Sequence, residues 1–242
     1  MTPGEGPAIA FANVSLSRGG TKLFSGLFLE LDERRIGLIG NNGSGKSSLL
    51  RLINGLLLPD AGAITICGLD TKADRQKLPA FAGFLFQNPD HQIVFPEVAE
   101  EIAFGPRERG QSAQHARNAA IQMLADHGHA DWAERPVHEL SDGQKQLVCL
   151  LAVTITAPNI LLLDEPFSSL DMPTRHNMMR RLDALPQQII MASHDFDLLA
   201  GFDRIIWLDN GQVRADGAPA QVLPAYRAAS IPDSDAVMLA AQ

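Results

Sequence analysis

Cysteine is almost missing from this chain: two occur, Cys67 and Cys149, each inside an apolar run. Both read as small core residues in a reducing compartment, which excludes a disulfide framework and a thiolate metal site. Long apolar runs are missing as well. The longest, Leu147–Ala157, is too short to cross a bilayer, and Pro158 ends it. Met1–Pro7 has no basic n-region and no apolar h-region, so no secretory signal is expected. Positive charge is in deficit, and a formal net charge of −8 argues against a nucleic-acid footprint. No internal repeat or low-complexity linker divides the chain. The expectation is a soluble cytoplasmic protein, brought to a membrane only by a partner. A hydrophobic content of 45% supports a real core, and 242 residues suit one α/β domain, alone or carrying an insertion.

What the chain does contain is a phosphate-binding loop. Gly40, Asn41, Asn42, Gly43, Ser44, Gly45, Lys46 and Ser47 fit G-x-x-x-x-G-K-[ST], and a helical stretch runs on from Ser48 to Asn54. The apolar run Arg35–Ile39 leads in, giving the strand, loop and helix that the motif requires. Glycines at 40, 43 and 45 let the backbone curl so that several N–H groups point inward at phosphate oxygens. The positive end of the following helix adds to that field. Lys46 would reach the β- and γ-phosphates, and Ser47 would place its hydroxyl on Mg2+.

Around this loop, Ile9–Leu16 and Gly26–Leu31 alternate as an antiparallel pair of strands joined through the Gly19-Gly20 turn. The helix after Lys46 stops at Gly55, and Pro59–Gly62 turns into a strand at Ala63–Cys67. Another strand, Gly83–Phe86, runs directly into Gln87. Between Asn88 and Asn159 only helices are expected, at Glu97–Phe104, Ser112–His127 and Gln144–Thr156. The core resumes at Ile160–Leu163, four branched aliphatics without alternation, as in a parallel strand covered on both faces. Strands Ile189–Ala192 and Ile205–Leu208 follow, with a helix over Pro173–Leu185 before the first of them. Asp209–Gln212 reads as a two-residue hairpin leading into Val213–Ala215. Beyond Pro224 the tail is alanine-rich and gives no clear pattern. The expected organisation is one domain: an α/β core over 1–87 and 160–223, a helical insertion over 88–159, and a short tail over 224–242.

Two carboxylates, Asp164 and Glu165, end the aliphatic strand. In phosphate-loop enzymes that strand-end position holds Mg2+ by way of a bound water, a role that falls to Asp164. Glu165 is placed to polarise an attacking water as general base. Upstream, Leu140, Ser141, Asp142, Gly143 and Gln144 open an apolar helix, with Ser141 as N-cap and free N–H groups for an anion. With these elements in this order, the chain resembles the nucleotide-binding subunits of ATP-binding cassette (ABC) transporters, from about residue 8 to 223. The family signature Leu-Ser-Gly-Gly-Gln is matched by Leu140–Gln144, with Asp142 in the third place. The resemblance implies a P-loop ATPase with a RecA-like mixed sheet, an antiparallel β subdomain and an inserted helical subdomain. It makes Gln87 the glutamine that joins the metal shell and senses the transmembrane partner. It makes Ser169, Leu170 and Asp171 the D-loop at a dimer interface, and His194 the switch histidine at the γ-phosphate. ATP and Mg2+ are the implied cofactors. In this family the signature of one copy closes on the phosphate loop of another, so two subunits trap each ATP.

Two positions depart from the family. Asp142 brings a negative charge near a phosphate site. No aromatic residue lies near Ser17 and Arg18, where one usually stacks on adenine. Arg18 is either a guanidinium stacking there in its place or a plain surface arginine. The segment from Phe86 to Pro106 is similar to the ATPases of energy-coupling factor (ECF) transporters, which import vitamins and transition-metal ions. There the region faces a transmembrane protein, so Ile93, Val94 and Phe95 either form that contact or fold back into the helices. The ending and the wording around Ser15–Gly20 and Arg35–Ser48 look most like dedicated biotin and cobalt or nickel systems. The partners implied are a second copy, or a related ATPase, together with a transmembrane coupling protein and a substrate-binding membrane subunit, at the cytoplasmic face of a prokaryotic membrane. No nucleic acid is expected. The competing possibilities are an ABC ATPase acting on nucleic acid or the ribosome, a small-molecule kinase, and a non-catalytic regulatory cassette.

Overall fold

The computed structural model describes residues 8–230. The chain opens as a hairpin of β1 (Ile9–Arg18) and β2 (Thr21–Leu31), turning at Gly19 and Gly20, which both have positive φ. Both strands run further than their side-chain alternation suggests. Asn13 (φ 54°) and Gly26 (φ 65°) sit where the register slips, and the bulges break the period-2 pattern without ending the pairing. β4 (Ala61–Ile66) pairs with the other edge of β1, and β5 (Leu69–Asp70) completes a four-stranded antiparallel sheet ordered β2-β1-β4-β5.

The second sheet contains β3 (Arg35–Ile39), β6 (Ala82–Leu85), β7 (Ile160–Asp164), β8 (Gln188–Ala192), β9 (Arg204–Asp209) and β10 (Gln212–Gly217). Its order is β10-β9-β3-β8-β7-β6, parallel throughout except for β10, which returns from β9 through Asn210 and Gly211. This mixed sheet with its antiparallel companion is the fold class expected. The helices are α1 (Lys46–Ile53), α2 (Val98–Glu108), α3 (Ala113–Asp126), α4 (Asp142–Thr154), α5 (Met172–Asp183), α6 (Phe196–Leu199) and α7 (Pro219–Ser230). Among the described residues no helix is long and apolar enough to cross a membrane.

The unbroken aliphatic composition of the central strands follows from burial on both faces. Ile160 and Leu162 join Ile36, Leu38, Ile190 and Ile206 in a core shared with α1 and the antiparallel sheet. Leu161 and Leu163 point the other way, into a core with Ile189, Met191 and Ile205 that also takes in α2, α3 and α4. One strand thus feeds two cores by simple alternation.

Four expectations need correction. Cys67 is exposed, at φ 49° in the turn between β4 and β5, because the apolar run ends at Ile66; only Cys149 is a core residue. The helix after the phosphate loop starts at Lys46, two residues early, since its N-cap Gly45 adopts a left-handed turn. The helix begun at Glu97 continues to Glu108 across Pro106. The alanine-rich tail begins as α7, a helix that runs through Pro224 and buries Val222, Leu223 and Tyr226, so a boundary at 224 falls inside it.

Arg35, only 8% exposed at the start of β3, holds the end of α5. Its guanidinium donates to the carbonyls of Leu182 (3.1 Å), in the last turn of the helix, and of Leu185 (2.8 Å) and Gln187 (2.7 Å), just beyond it. Burial lowers its pKa, so these carbonyls hold a cation partly removed from water. We predict that Arg35→Met destabilises the fold by about 1–3 kcal/mol, the cost of losing these charge-assisted bonds and of leaving the Gln187 carbonyl without its donor. Urea unfolding should show a lower midpoint at unchanged slope. An unmoved midpoint would mean that those carbonyls find water at no cost.

Candidate functional site

The register of three parallel strands places the candidate residues. Leu38 pairs with Ala192, and Ala192 pairs with Asp164, so the ends of β3, β8 and β7 are level. What leaves those ends therefore starts side by side: the loop at Gly40, the segment Ser193-His194, and Glu165. They surround a cavity of about 920 Å3 lined by Asn42–Ser48, Gln87, Glu165, Ser168, His194 and, at its outer side, Arg18 and Leu23. Gly40, Asn41 and Asp164 do not line it but are hydrogen-bonded to Lys46 and Ser47, which do.

The loop fits an anion for reasons visible in the backbone. A Cβ on Gly40 would stand 2.1 Å from the Leu208 carbonyl, and one on Gly45 would stand 2.7 Å from the Phe24 ring, so the curl admits no side chain. Helices α3, α4, α5 and α6 are capped by Ser112, Ser141, Asp171 and Asp195, whereas α1, like α2, has no side-chain cap. Its first N–H groups open on the cavity instead, the arrangement that suits phosphate. The Ser44 hydroxyl is buried there without a partner. Lys46 is buried, its Nζ donating to the carbonyls of Gly40 (2.7 Å) and Asn41 (3.3 Å). Burial pulls its pKa below the ordinary lysine range, with Glu165 and Asp164 acting in the opposite sense.

Beside the loop, Ser47 Oγ donates to Asp164 Oδ1 at 2.7 Å, joining α1 to the end of β7. A hydroxyl and a carboxylate in contact are hard oxygen donors and suit Mg2+. Glu165 departs from β7 with φ 49°, an uncommon conformation for a residue with a side chain. Its carboxylate accepts from the His194 N–H (3.4 Å), and its Oε1 lies 3.0 Å from His194 Nε2 without hydrogen-bond alignment. Gln87 Nε2 donates to Ser168 Oγ at 3.4 Å across the same cavity. Arg18, Gln87, Asp164, Glu165, His194 and the loop are thus brought together.

Leu140–Gln144 are not brought to this cavity. Ser141 caps α4 in a reciprocal box: its Oγ accepts from Gln144 N (3.4 Å), and Gln144 Oε1 accepts from Ser141 N (3.0 Å). Leu140 is buried, Asp142 faces solvent, and Ser141, Gly143 and Gln144 line a second cavity of about 780 Å3 against α5. Leu170 is buried, Ser169 is exposed, and Asp171 caps α5 through Thr174 N (2.8 Å). Sequence reasoning missed Arg175, whose guanidinium donates to Asp195 and to the Leu170 carbonyl (3.1 Å). No motif flags it; it is defined only by the fold that brings α5 beside α6.

The sequence model described as "ABC transporter" matches residues 29–168. The chain is 49% identical to the biotin transport ATP-binding protein BioM of Rhodobacter capsulatus, over 92% of this chain and 95% of that one. It is 35% identical to the energy-coupling factor transporter ATP-binding protein EcfA2 of Methanospirillum hungatei, over 90% of this chain and 53% of that one. Among solved structures it is similar to cbiO1 of Clostridium perfringens, described as part of the transporter complex cbiONQ, with a TM-score of 0.80, 27% identity and 93% of each chain covered.

Gly40→Ala is the direct test of the loop. With φ at 146° and the Leu208 carbonyl in the way, it should weaken nucleotide binding at least about tenfold, on the scale of the strain a non-glycine residue stores there. Isothermal titration against ATP measures this; wild-type affinity would show that the curl is dispensable.

Proposed function

The chain belongs to the ABC transporter family as an ATP-hydrolysing subunit, and we propose that two copies power an ECF-type importer for a micronutrient. One observation carries the reading: Lys46, Ser47, Asp164, Glu165 and His194 converge on one uncapped helix start, while Ser141 opens into a different cavity. Each chain then offers half a catalytic centre on each of two faces. Pairing two chains about a two-fold axis brings the Ser141 helix start of each over the loop of the other, closing two ATP sites at once. A homodimer is the simplest pairing; a heterodimer with a related ATPase satisfies the same geometry.

Within a closed site Lys46 and the α1 N–H groups hold the β- and γ-phosphates. Glu165 takes a proton from the attacking water, and the His194 N–H keeps its carboxylate turned to the cavity. Ser47, Asp164 and Gln87 would hold Mg2+, which neutralises charge on the phosphate oxygens when bound. Arg18 is the candidate for the adenine face. Asp142, which points to solvent, leaves Ser141 and the α4 N–H groups available to the partner's ATP.

Motion must reach a membrane protein through the helical side. Val94 is 73% exposed, Phe104 is 41% exposed, and Phe95 lies against Phe104 with ring centroids 5.3 Å apart. Ile93 instead packs into the core, so the contact falls to Val94, Phe95 and Phe104. This patch is the docking place for the transmembrane coupling protein, which sits with a substrate-binding membrane subunit and keeps the ATPase at the cytoplasmic face. Biotin is the cargo favoured by the likeness to BioM; cobalt or nickel is the alternative kept from the resemblance in sequence. The net charge of −8 speaks against a nucleic-acid partner.

Glu165→Gln should retain ATP binding, lower turnover by at least about a hundredfold as expected for a lost general base, and accumulate a closed dimer on size-exclusion chromatography. Normal turnover would remove Glu165 from that role. Val94→Asp alters an exposed side chain and should leave ATP binding intact while abolishing co-purification with the membrane subunits. Retention of the complex would move the docking surface elsewhere. Retained small molecules in the purified complex identify the cargo.

A further inference from the structure

Tyr226 is the single tyrosine of the chain and lies 6% exposed on α7. Its hydroxyl donates to Asn41 Oδ1 at 3.2 Å. Its ring meets Phe196 edge-on at 5.5 Å and Trp207 edge-on at 5.0 Å. Each contact leads to a different part of the nucleotide cavity. Asn41 is the second residue of the phosphate loop, and its own carbonyl accepts from Lys46 Nζ and from Ser44 N. Phe196 is two residues beyond His194 and itself lines the cavity. Trp207 stands on β9, one residue before Leu208, whose carbonyl crowds Gly40.

We propose that Tyr226 is a positioning residue for ATP hydrolysis, fixing the phosphate loop through Asn41 and coupling it to the His194 segment through Phe196. The side chain touches no reacting atom. Its hydroxyl orients Asn41, and Asn41 is one of two carbonyls that aim the Lys46 ammonium. Its ring supports α6 from below. Arg227, the next residue, lies over the outer face of the Phe196 ring at 5.2 Å and lines the same cavity, so α7 forms a wall of the site and not a mere appendage. The amide of Asn41 without its donor is free to rotate, and the loop then samples positions in which Lys46 is misaimed.

The inference rests on Gly40–Ser48 holding the phosphates, so the test carries a control for that. In the full chain, Tyr226→Phe keeps the rings and removes the hydroxyl. It should weaken binding of ATP about three- to tenfold, the usual worth of one neutral hydrogen bond, with little change in melting temperature. Tyr226→Ala should in addition lower the hydrolysis rate at saturating ATP in the assembled transporter, because Phe196 loses its support. The decisive measurement is a double-mutant cycle with Asn41→Ala. If Tyr226 acts through Asn41, Tyr226→Phe changes ATP affinity by less than about twofold in the Asn41→Ala background. An equal loss in both backgrounds, or wild-type affinity of the single Tyr226→Phe variant, overturns the proposal. Lys46→Ala separates the two levels: if it binds ATP like wild type, the assignment of the loop fails; if it does not, the cycle judges Tyr226 alone.

Discussion

The level alignment of β3, β8 and β7 is the constraint on which the site depends. Ala192 stands in register between Leu38 and Asp164, and that register is held because each strand buries both faces. A shift of one residue would send every aliphatic side chain into the wrong core. The cost of that error is large, so the strand ends cannot drift, and neither can the loop, the carboxylates and the histidine that follow them. Precision at the nucleotide is thus a by-product of hydrophobic packing several residues away. The Ser47–Asp164 hydrogen bond adds a polar tie where the packing stops.

Much of this was legible because the chemistry is local in sequence. Strand, glycine loop and helix are contiguous from Arg35 to Ile53, and the carboxylates follow directly on Ile160–Leu163, so periodicity and motif agree. Legibility fails where one side chain answers to two masters. Gly26 interrupts alternation to make a bulge and hides the first half of β2. Pro219 and Pro224 disguise α7, a helix stabilised by burying Val222, Leu223 and Tyr226 against the sheet and not by propensity. Cys67 follows apolar neighbours yet sits in a left-handed turn. The left-handed φ of Glu165 and the approach of Tyr226 to Asn41, 185 residues away, exist only once the chain has folded.

The signature helix and the segment after Gln87 are joined tightly to each other. Gln146, 1% exposed on α4, donates to the Phe86 carbonyl (3.2 Å), and Lys145 pairs with Asp90 (2.7 Å). Glu101, buried on α2, accepts from the Val94 and Phe95 N–H groups (2.8 and 2.9 Å) and so holds the exposed apolar loop in shape. The residues on either side of Gln87 are therefore tied to the start of α4, and the surface at Val94 is tied to α2. Partly buried hydrogen bonds such as those of Gln146 and Glu101 fix geometry more than they contribute net stability.

The alternation of Ile160, Leu161, Leu162 and Leu163 between two cores has a consequence for packing. The sheet acts as a partition: side chains on the α1 side pack without reference to those on the α2–α4 side. Substitutions on the α2–α4 side therefore meet a different set of side chains from those packed against α1, although Tyr226 and Trp207, which support the phosphate loop, lie on the α2–α4 side. A single strand in this way serves two separately composed interiors, and a change in side-chain size on one of its faces is absorbed by that interior alone.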